Sequence, residues 1–145
     1  MKTNNIETDR LEYLNVQILK IEIKNILKDP LQRTDSFQLE YKFKATDLYN
    51  LKEQLIRVII DAEIIVMKDG KEMNAGAKFE IDNYFRYADL EKFARVENDK
   101  MLVESHFAEN IKGLAFSTSR GIILSKLSGT FLEGTILPVE MSTDV

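Results

Sequence analysis

The side chains best suited to chemistry lie at the start of a helical pattern in the C-terminal third of the sequence. His106 is the only histidine, and Glu104 and Glu109 lie within three residues of it. A histidine and a glutamate three residues apart share one side of a helix, which is a spacing found in metal sites. A complete site needs further carboxylates on facing helices, and none is suitably spaced. We therefore expect His106 to be exposed or partly packed, and no metal to be bound.

The hydroxyl side chains in the same region do not form a catalytic set. Ser117 and Ser119 lie close to Arg120, but no histidine is placed to act as their base and no nucleophile elbow surrounds them. The glycines stand alone, so no phosphate-binding loop is present, and the absence of cysteine excludes a thiolate nucleophile. We expect a protein that is not an enzyme and uses no cofactor.

Length and charge limit which kinds of domain organisation, binding partner and location we expect. The 145 residues, 44% hydrophobic and 30% charged, predict a single domain over residues 1–145, with residues 1–11 as a disordered tail. A net charge of −4 argues against nucleic acid or an anionic membrane as the main partner. Neither a signal peptide nor an apolar run of about 20 residues is expected, so we predict a cytoplasmic protein.

Two strands are predicted in the first third of the chain. The first, LNVQILKIEIKNI, begins near Leu14, and its apolar positions change parity near Leu19 and Lys20. This change predicts a bulge there, or burial on both sides. After a loop around Pro30, apolar and polar residues alternate from Phe37 onward, which is typical of a strand with one solvated face.

Two further strands form a predicted hairpin. The strongly apolar run Leu55–Val66 is followed by Asp69 and Gly70, residues suited to a tight turn with positive φ, and the chain returns from about Met73 to Phe85. Four strands joined by short loops, with the helical signal after them, predict an α+β fold with an antiparallel sheet. YADLEKFARV is expected to be a short helix or turn, and Asn98 or Asp99 to cap the main helix.

The helix and its continuation, Phe107 to Val139, carry more apolar positions than one partner can cover. At 100° per residue these positions fall into two stripes. The first is Phe107, Ile111, Leu114, Ala115 and Ile122, and the second is Phe116, Ile123 and Leu127. Gly113, Ser117 and Gly121 recur every four residues as a track that another helix could approach closely. Alternatively, Gly113 marks a kink or break and Gly121 is only tolerated.

The order of these elements, together with short C-terminal motifs, resembles the SecB family of export chaperones. The helix segment AFSTSRGIILSKLSGTF and the extended ILPVEM carry the resemblance, with the first strand, the Pro30 loop and FQLEYKFKAT in matching order. The matching residues are Phe116, Arg120, Gly129, Thr130, Phe131, Pro138 and Val139. The similarity covers roughly residues 12–141, and each motif is only moderately specific.

The resemblance implies an ATP-independent holdase that binds unfolded or non-native polypeptides, for protein export or for one dedicated partner such as an antitoxin. It also implies a tetramer, a dimer of dimers, joined by the long helices. Apolar residues in loops are harder to place in a core than those in strands, which makes them candidate client-binding residues. These are Ile26, Leu27, Leu31, Phe37, Phe131 and Leu132. Alternatively, they pack beneath the loops as a satellite cluster. The helix residues assigned to the oligomer interface are Gly113, Phe116, Ser117, Gly121, Ile123 and Leu127.

Two features of the sequence differ from the family pattern. Export chaperones dock the motor SecA through acidic residues on the sheet, and Glu80 falls near one such position, whereas Lys24 and Asn25 stand where acids are expected. The sequence ends shortly after Val139, where family members form a second helix along the client groove, so we expect a groove that is shallower or is completed in another way. The competing hypothesis is a non-catalytic oligomeric domain with a structural or ligand-binding role, whose helix stripes serve only assembly.

Overall fold

The structure is a computed structural model that describes residues 9–24 and 37–139. Four long strands come first, followed by a short 3-10 helix at Leu90–Lys92, a small hairpin and one long helix. The strands and the helix are β1 (Leu11–Lys24), β2 (Phe37–Asn50), β3 (Leu55–Lys68), β4 (Lys71–Tyr87), β5 (Ala94–Glu97), β6 (Lys100–Val103) and α1 (Ser105–Leu127). The predicted α+β class, with a four-stranded antiparallel sheet before a C-terminal helix, is confirmed.

The large sheet has the strand order β1-β4-β3-β2, and every neighbouring pair is antiparallel. Asp69 and Gly70 form the β3–β4 turn with φ of 52° and 75°, so the predicted positive-φ hairpin is confirmed. In β3, alternate residues from Ile56 to Val66 are buried while their neighbours are mostly half-buried. One face of the sheet therefore packs under α1, and we call this the covered face and the opposite one the open face.

The edge strand β1 contains two irregularities. Its register with β4 shifts at Leu19, where a bulge was predicted, and again at Leu14, where none was. Each bulge inserts one unpaired residue and restores the apolar side chains that follow to the covered face. β1 begins at Leu11, earlier than the predicted start near Leu14, and most of the predicted N-terminal tail lies outside the described residues.

A close backbone approach occurs where β4 passes β3 near its start. Gly76 has φ of 156°, and a Cβ built on it would lie 2.1 Å from the carbonyl oxygen of Ile64. The β3–β4 register shifts nearby, between Ile65 and Met67. Any side chain at position 76 would force the two strands apart, so this position requires glycine.

The helix α1 is continuous through Gly113 and Gly121, and its buried side rotates along its length. Many of the buried residues recur every four positions, and in a helix of 3.6 residues per turn each such step moves the buried side about 40° around the helix axis. Near its N-terminus, Phe107 stacks on Phe93, with ring centroids 4.6 Å apart. Near its C-terminus, Leu127 shares a cluster with Leu137. The two predicted stripes therefore meet partners of the same chain, except that Leu114 is exposed and Ile122 only half-buried.

The start of α1 differs from the prediction. Asn98 and Asp99, expected to cap the helix, are the positive-φ turn of the β5–β6 hairpin, with φ of 52° and 60°. Glu104 is the N-cap instead, and its carboxylate accepts the backbone N–H groups of His106 at 3.1 Å and Phe107 at 2.8 Å. A carboxylate at this position satisfies two of the free donors at a helix N-terminus.

Candidate functional site

Two of the residues that the sequence offered for chemistry, Glu104 and Ser119, have structural roles. Glu104 is engaged as the helix cap, and His106 is exposed beside it. Ser119 is fully buried, and its hydroxyl oxygen accepts a hydrogen bond from Asn83 Nδ2 at 3.2 Å. Within residues 9–24 and 37–139, no three His, Asp or Glu side chains are grouped so that they could hold a metal ion.

Asn83 is the centre of a buried polar network between the sheet and the helix. Its side-chain amide donates to the Ser119 hydroxyl and, at 3.1 Å, to the carbonyl oxygen of Val58. Its side-chain oxygen accepts from the Tyr13 hydroxyl on β1. Partial burial raises the pKa of the Tyr13 phenol, an effect that a hydrogen bond with Thr118 opposes. The network therefore fixes β1, β4 and α1 relative to one another.

Arg120, part of the helix motif, holds the C-terminal segment against α1. Its Nε donates to the carbonyl oxygen of Pro138 at 3.1 Å, and a terminal nitrogen donates to that of Leu137 at 3.2 Å. Leu137 is buried, whereas Ile136 and Val139 on either side are 83% and 75% exposed. The hydrogen bonds from Arg120 therefore hold the C-terminal segment so that its exposed apolar side chains face solvent at a fixed position.

Three of the candidate client-binding residues lie in the described part of the chain. Phe37 and Phe131 are half-buried and pack against the core cluster that contains Leu127 and Leu137. Leu132 is 1% exposed within that same cluster, so it is a core residue and is not available on the surface. The other candidates, Ile26, Leu27 and Leu31, lie outside the described residues.

The six helix residues assigned to an oligomer interface separate into two groups. Phe116, Ile123 and Leu127 are buried in the core of the same subunit, so their side chains are not available to a second copy. The other three, Gly113, Ser117 and Gly121, are exposed, and a Cβ added at either glycine would meet no atom within 4 Å. Only these three remain as surface candidates for an interface.

An apolar surface that the sequence prediction did not identify runs along β1 and the outer side of α1. On β1, Tyr13, Ile18 and Ile21 are 39–41% exposed although they lie on the covered face. Leu114 on α1 is 42% exposed. A groove of about 460 Å³ separates the two elements and is lined by Val16, Ile18, Thr118, Gly121, Ile122, Ser125 and Lys126. The sequence pattern that could have indicated this surface is that the first strand carries apolar residues at both odd and even positions.

The open face of the sheet carries lysines and acids in register across its four strands. One row across β1, β4, β3 and β2 reads Lys20, Glu80, Asp61, Lys44, and the next reads Glu22, Lys78, Glu63, Lys42. Each row contains two lysines and two acids, so the two rows are electrically balanced. Glu80, proposed from the family resemblance as a SecA contact, is half-buried between Lys20 and Asp61.

A different arrangement occurs further along the same face. Asp82 is fully buried. Its Oδ2 accepts a hydrogen bond from Nε of Arg57 at 2.7 Å and also lies 2.7 Å from a terminal guanidinium nitrogen of Arg57. The Arg57 guanidinium also lies 5.6 Å from the centre of the Tyr84 ring. The hydrogen bond with Asp82 raises the pKa of Arg57, and the Arg57–Asp82 pair covers the open face locally.

Comparison with known proteins shows a likeness of fold without a likeness of sequence. No protein-family model and no curated protein matches the sequence. The structure is similar to that of the SecB-like chaperone Rv1957 of Mycobacterium tuberculosis, which was solved in complex with a ChAD peptide from the Rv1956 HigA1 antitoxin. The TM-score is 0.63 at 13% identity, over 95% of each chain. The likeness shows that this chain has a SecB-like fold.

Proposed function

We propose that this protein is an ATP-independent holdase chaperone that binds unfolded or non-native polypeptides. The main support is its likeness over 95% of the chain to a SecB-like chaperone in complex with a peptide. Exposed apolar side chains in the C-terminal segment, Ile136 and Val139, fit a protein that binds apolar polypeptide. The described residues contain no helix long and apolar enough to cross a membrane. A cytoplasmic location and a role in export are parts of the same proposal.

The client surface that we propose lies around the end of the molecule where β2 begins. It comprises Phe37 and Phe131 with the exposed Ile136 and Val139. Ile26, Leu27 and Leu31, which lie outside the described residues, are proposed to bind clients as well. Burying about 400 Å² of apolar surface at roughly 25 cal/mol per Å² gives on the order of 10 kcal/mol before costs. Ordering a flexible client consumes much of this, so we expect micromolar, sequence-tolerant binding that permits release.

The first test is light scattering from an unfolded, aggregation-prone protein diluted into buffer without nucleotide. The wild-type protein is expected to suppress aggregation, with saturation near one tetramer per client. Changing Phe37 and Phe131 to Ser removes two aromatic anchors and should raise the concentration needed for half suppression roughly tenfold. Leu48→Ser is the matched control, because Leu48 is 47% exposed on the open face and lies outside the proposed client surface.

Two outcomes would contradict this proposal. No suppression over a wide molar excess of the wild-type protein would argue against a general holdase. Equal losses in the Leu48→Ser control and the aromatic variants would show that the proposed surface is not where clients bind.

A chaperone dedicated to one partner is the second candidate function. The observation in its favour is that the structural neighbour holds a peptide from an antitoxin. A dedicated chaperone should bind one natural segment much more tightly than generic unfolded protein.

Contact with SecA through Glu80 belongs to the export version of the proposal. The charge balance of the surrounding rows gives that face little net attraction for a basic partner.

We also propose that the protein assembles into a tetramer, a dimer of dimers. The exposed track of Gly113, Ser117 and Gly121 would let a second helix approach α1 closely. The outer edge of β1, which pairs with no other strand among the described residues, would be covered together with its exposed apolar side chains in the same assembly. Such an arrangement accounts for apolar surface that a monomer would leave in water.

Substitution at Gly121 tests this assembly. Gly121→Leu should weaken subunit association about tenfold or more, because the added side chain prevents close approach of the second helix. Gly121→Ala, which adds only a methyl group in open space, is the control and should associate much like the wild type. Sedimentation velocity over a concentration series measures both, and circular dichroism verifies the helix content. Identical association of the two variants would place the interface elsewhere.

A further inference from the structure

The small β5–β6 hairpin projects beyond the core that anchors its base. At the base, Ala94 is buried and the backbone N–H of Glu104 donates to the carbonyl oxygen of Phe93 at 2.7 Å. Towards the tip, Val96 is 59% exposed and Met101, its cross-strand partner, is 36% exposed. The apolar pair at the tip is therefore left in water by the subunit itself.

The outer edge of β5 is able to accept another strand. Glu97 and Lys100 close the two-residue turn, so this pair exchanges both hydrogen bonds across the hairpin. In an antiparallel pair the next position alternates, and the N–H and C=O groups of Val96 consequently point away from β6. Among the described residues, β5 pairs only with β6. Val96 thus presents a donor and an acceptor at an open edge.

The charges on either side of Val96 make this edge complementary to itself. Arg95 and Glu97 flank it on one face, with Arg95 Nε 3.2 Å from Glu97 Oε2, and both side chains are more than half exposed. When two copies of β5 pair antiparallel about Val96, Arg95 of each copy lies opposite Glu97 of the other. A register centred on Arg95 would place like charges opposite each other, which is destabilising.

We propose that β5 forms a two-fold contact with β5 of a second copy of this chain. The result is a four-stranded sheet in the order β6-β5-β5-β6. One face carries a continuous apolar row, in which Met101 and Val96 of one copy continue into Val96 and Met101 of the other. On the opposite face, Glu97 lies between Lys100 of its own chain and Arg95 of the second copy. This inference rests on the proposed assembly and does not depend on the chaperone activity.

The contact is short, so it reinforces a larger assembly rather than forming one alone. Isolated short strand pairs are marginal in water, and four residues per copy bury far less than a stable interface requires. An isologous contact closes on itself and does not propagate into a filament. The contact therefore adds strength to an oligomer held together elsewhere on the chain.

Cysteine crosslinking tests the geometry directly, because the natural sequence contains no cysteine. In Val96→Cys, the two introduced residues face each other across the two-fold axis, at a Cα separation within the range that a disulfide spans. In Lys100→Cys, on the same hairpin and likewise exposed, the two residues are separated by the β5 strands. Mild oxidation of the full-length protein should produce covalent dimers from Val96→Cys at least about tenfold faster than from Lys100→Cys. Equal rates, or no dimer from Val96→Cys at concentrations where sedimentation velocity shows the oligomer, would overturn the proposal.

Charge reversal in the Val96→Cys protein tests the register. Arg95→Glu places acid opposite acid, and Glu97→Arg places arginine opposite arginine, so each variant alone should crosslink several-fold more slowly. When the two variants are refolded together, the two acids of the first variant face the two arginines of the second, and heterodimers should form at close to the original rate. Mass-tagging one variant identifies the heterodimer. Failure of the mixture to recover crosslinking would overturn the pairing about Val96.

Discussion

Gly76→Ala is expected to lower the free energy of unfolding by roughly 2–4 kcal/mol, a loss typical of a severe backbone clash. The Cβ of alanine would lie 2.1 Å from the carbonyl oxygen of Ile64, which is backbone in the neighbouring strand and cannot rotate away. Relief requires the two central strands of the sheet to separate at this point. Urea denaturation followed by circular dichroism measures the effect, and the sheet order should be retained.

Gly113→Ala is the matched control for this prediction. A methyl group at position 113 would meet nothing within 4 Å in the subunit, and alanine favours a helix over glycine by about 1 kcal/mol. This variant should therefore be as stable as the wild type or slightly more stable. If Gly76→Ala cost no more than Gly113→Ala, β4 would not pass β3 as closely as the structure indicates.

Asn83→Leu is expected to cost about 2–4 kcal/mol despite its similar size, because it removes the centre of a buried network. The Ser119 hydroxyl and the Val58 carbonyl oxygen would each lose a donor, and the Tyr13 hydroxyl would lose its acceptor. Unpaired polar groups in a buried position keep their full desolvation penalty. The loss should appear in the urea midpoint with little change in its slope.

A mutant cycle separates this effect from simple repacking. In a background with Tyr13→Phe and Ser119→Ala, two of the three partners are already absent, so the further cost of Asn83→Leu should be clearly smaller. If the cost were the same in both backgrounds, the polar network would not be coupled, and the loss would have to come from the shape of the leucine side chain.

The sheet was predictable because local chemistry and burial agree there. Asp69 and Gly70 can adopt positive φ at little cost, and the alternation that begins at Phe37 matches a strand with one solvated face. The bulge at Leu19 followed from a change of parity. The bulge at Leu14 gave no comparable signal, because apolar residues are too sparse before it to define a parity.

The hairpin before the helix was missed for a physical reason. Asn98 and Asp99 are favoured both at helix N-caps and in positive-φ turns, so residue type alone does not distinguish the two. The flanking strands are four residues each, too short for alternation to be recognised. The structure resolves the ambiguity because Glu104, further along the chain, supplies the cap.

The candidate site was only partly predictable, because periodicity reports that a side chain is apolar and not which surface covers it. Phe116, Ile123 and Leu127 appeared to need a partner outside the subunit, yet the sheet and the C-terminal segment cover them. Leu132 appeared to be a loop residue, yet it completes the core below the helix. Their contacts join segments distant in sequence, which a helical projection does not represent.

The strand order has a consequence for how the protein is made. β1 is synthesised first, but its partner β4 is synthesised only after β2 and β3. At roughly 5–20 residues per second, an extended and largely apolar first strand remains unpaired on the ribosome for seconds. The β3–β4 hairpin, whose strands are adjacent in sequence, should form first and then capture β1 along the edge of β4. In each new copy of the chain, this first strand is thus an unpaired apolar segment that is at risk of aggregation until the fourth strand emerges.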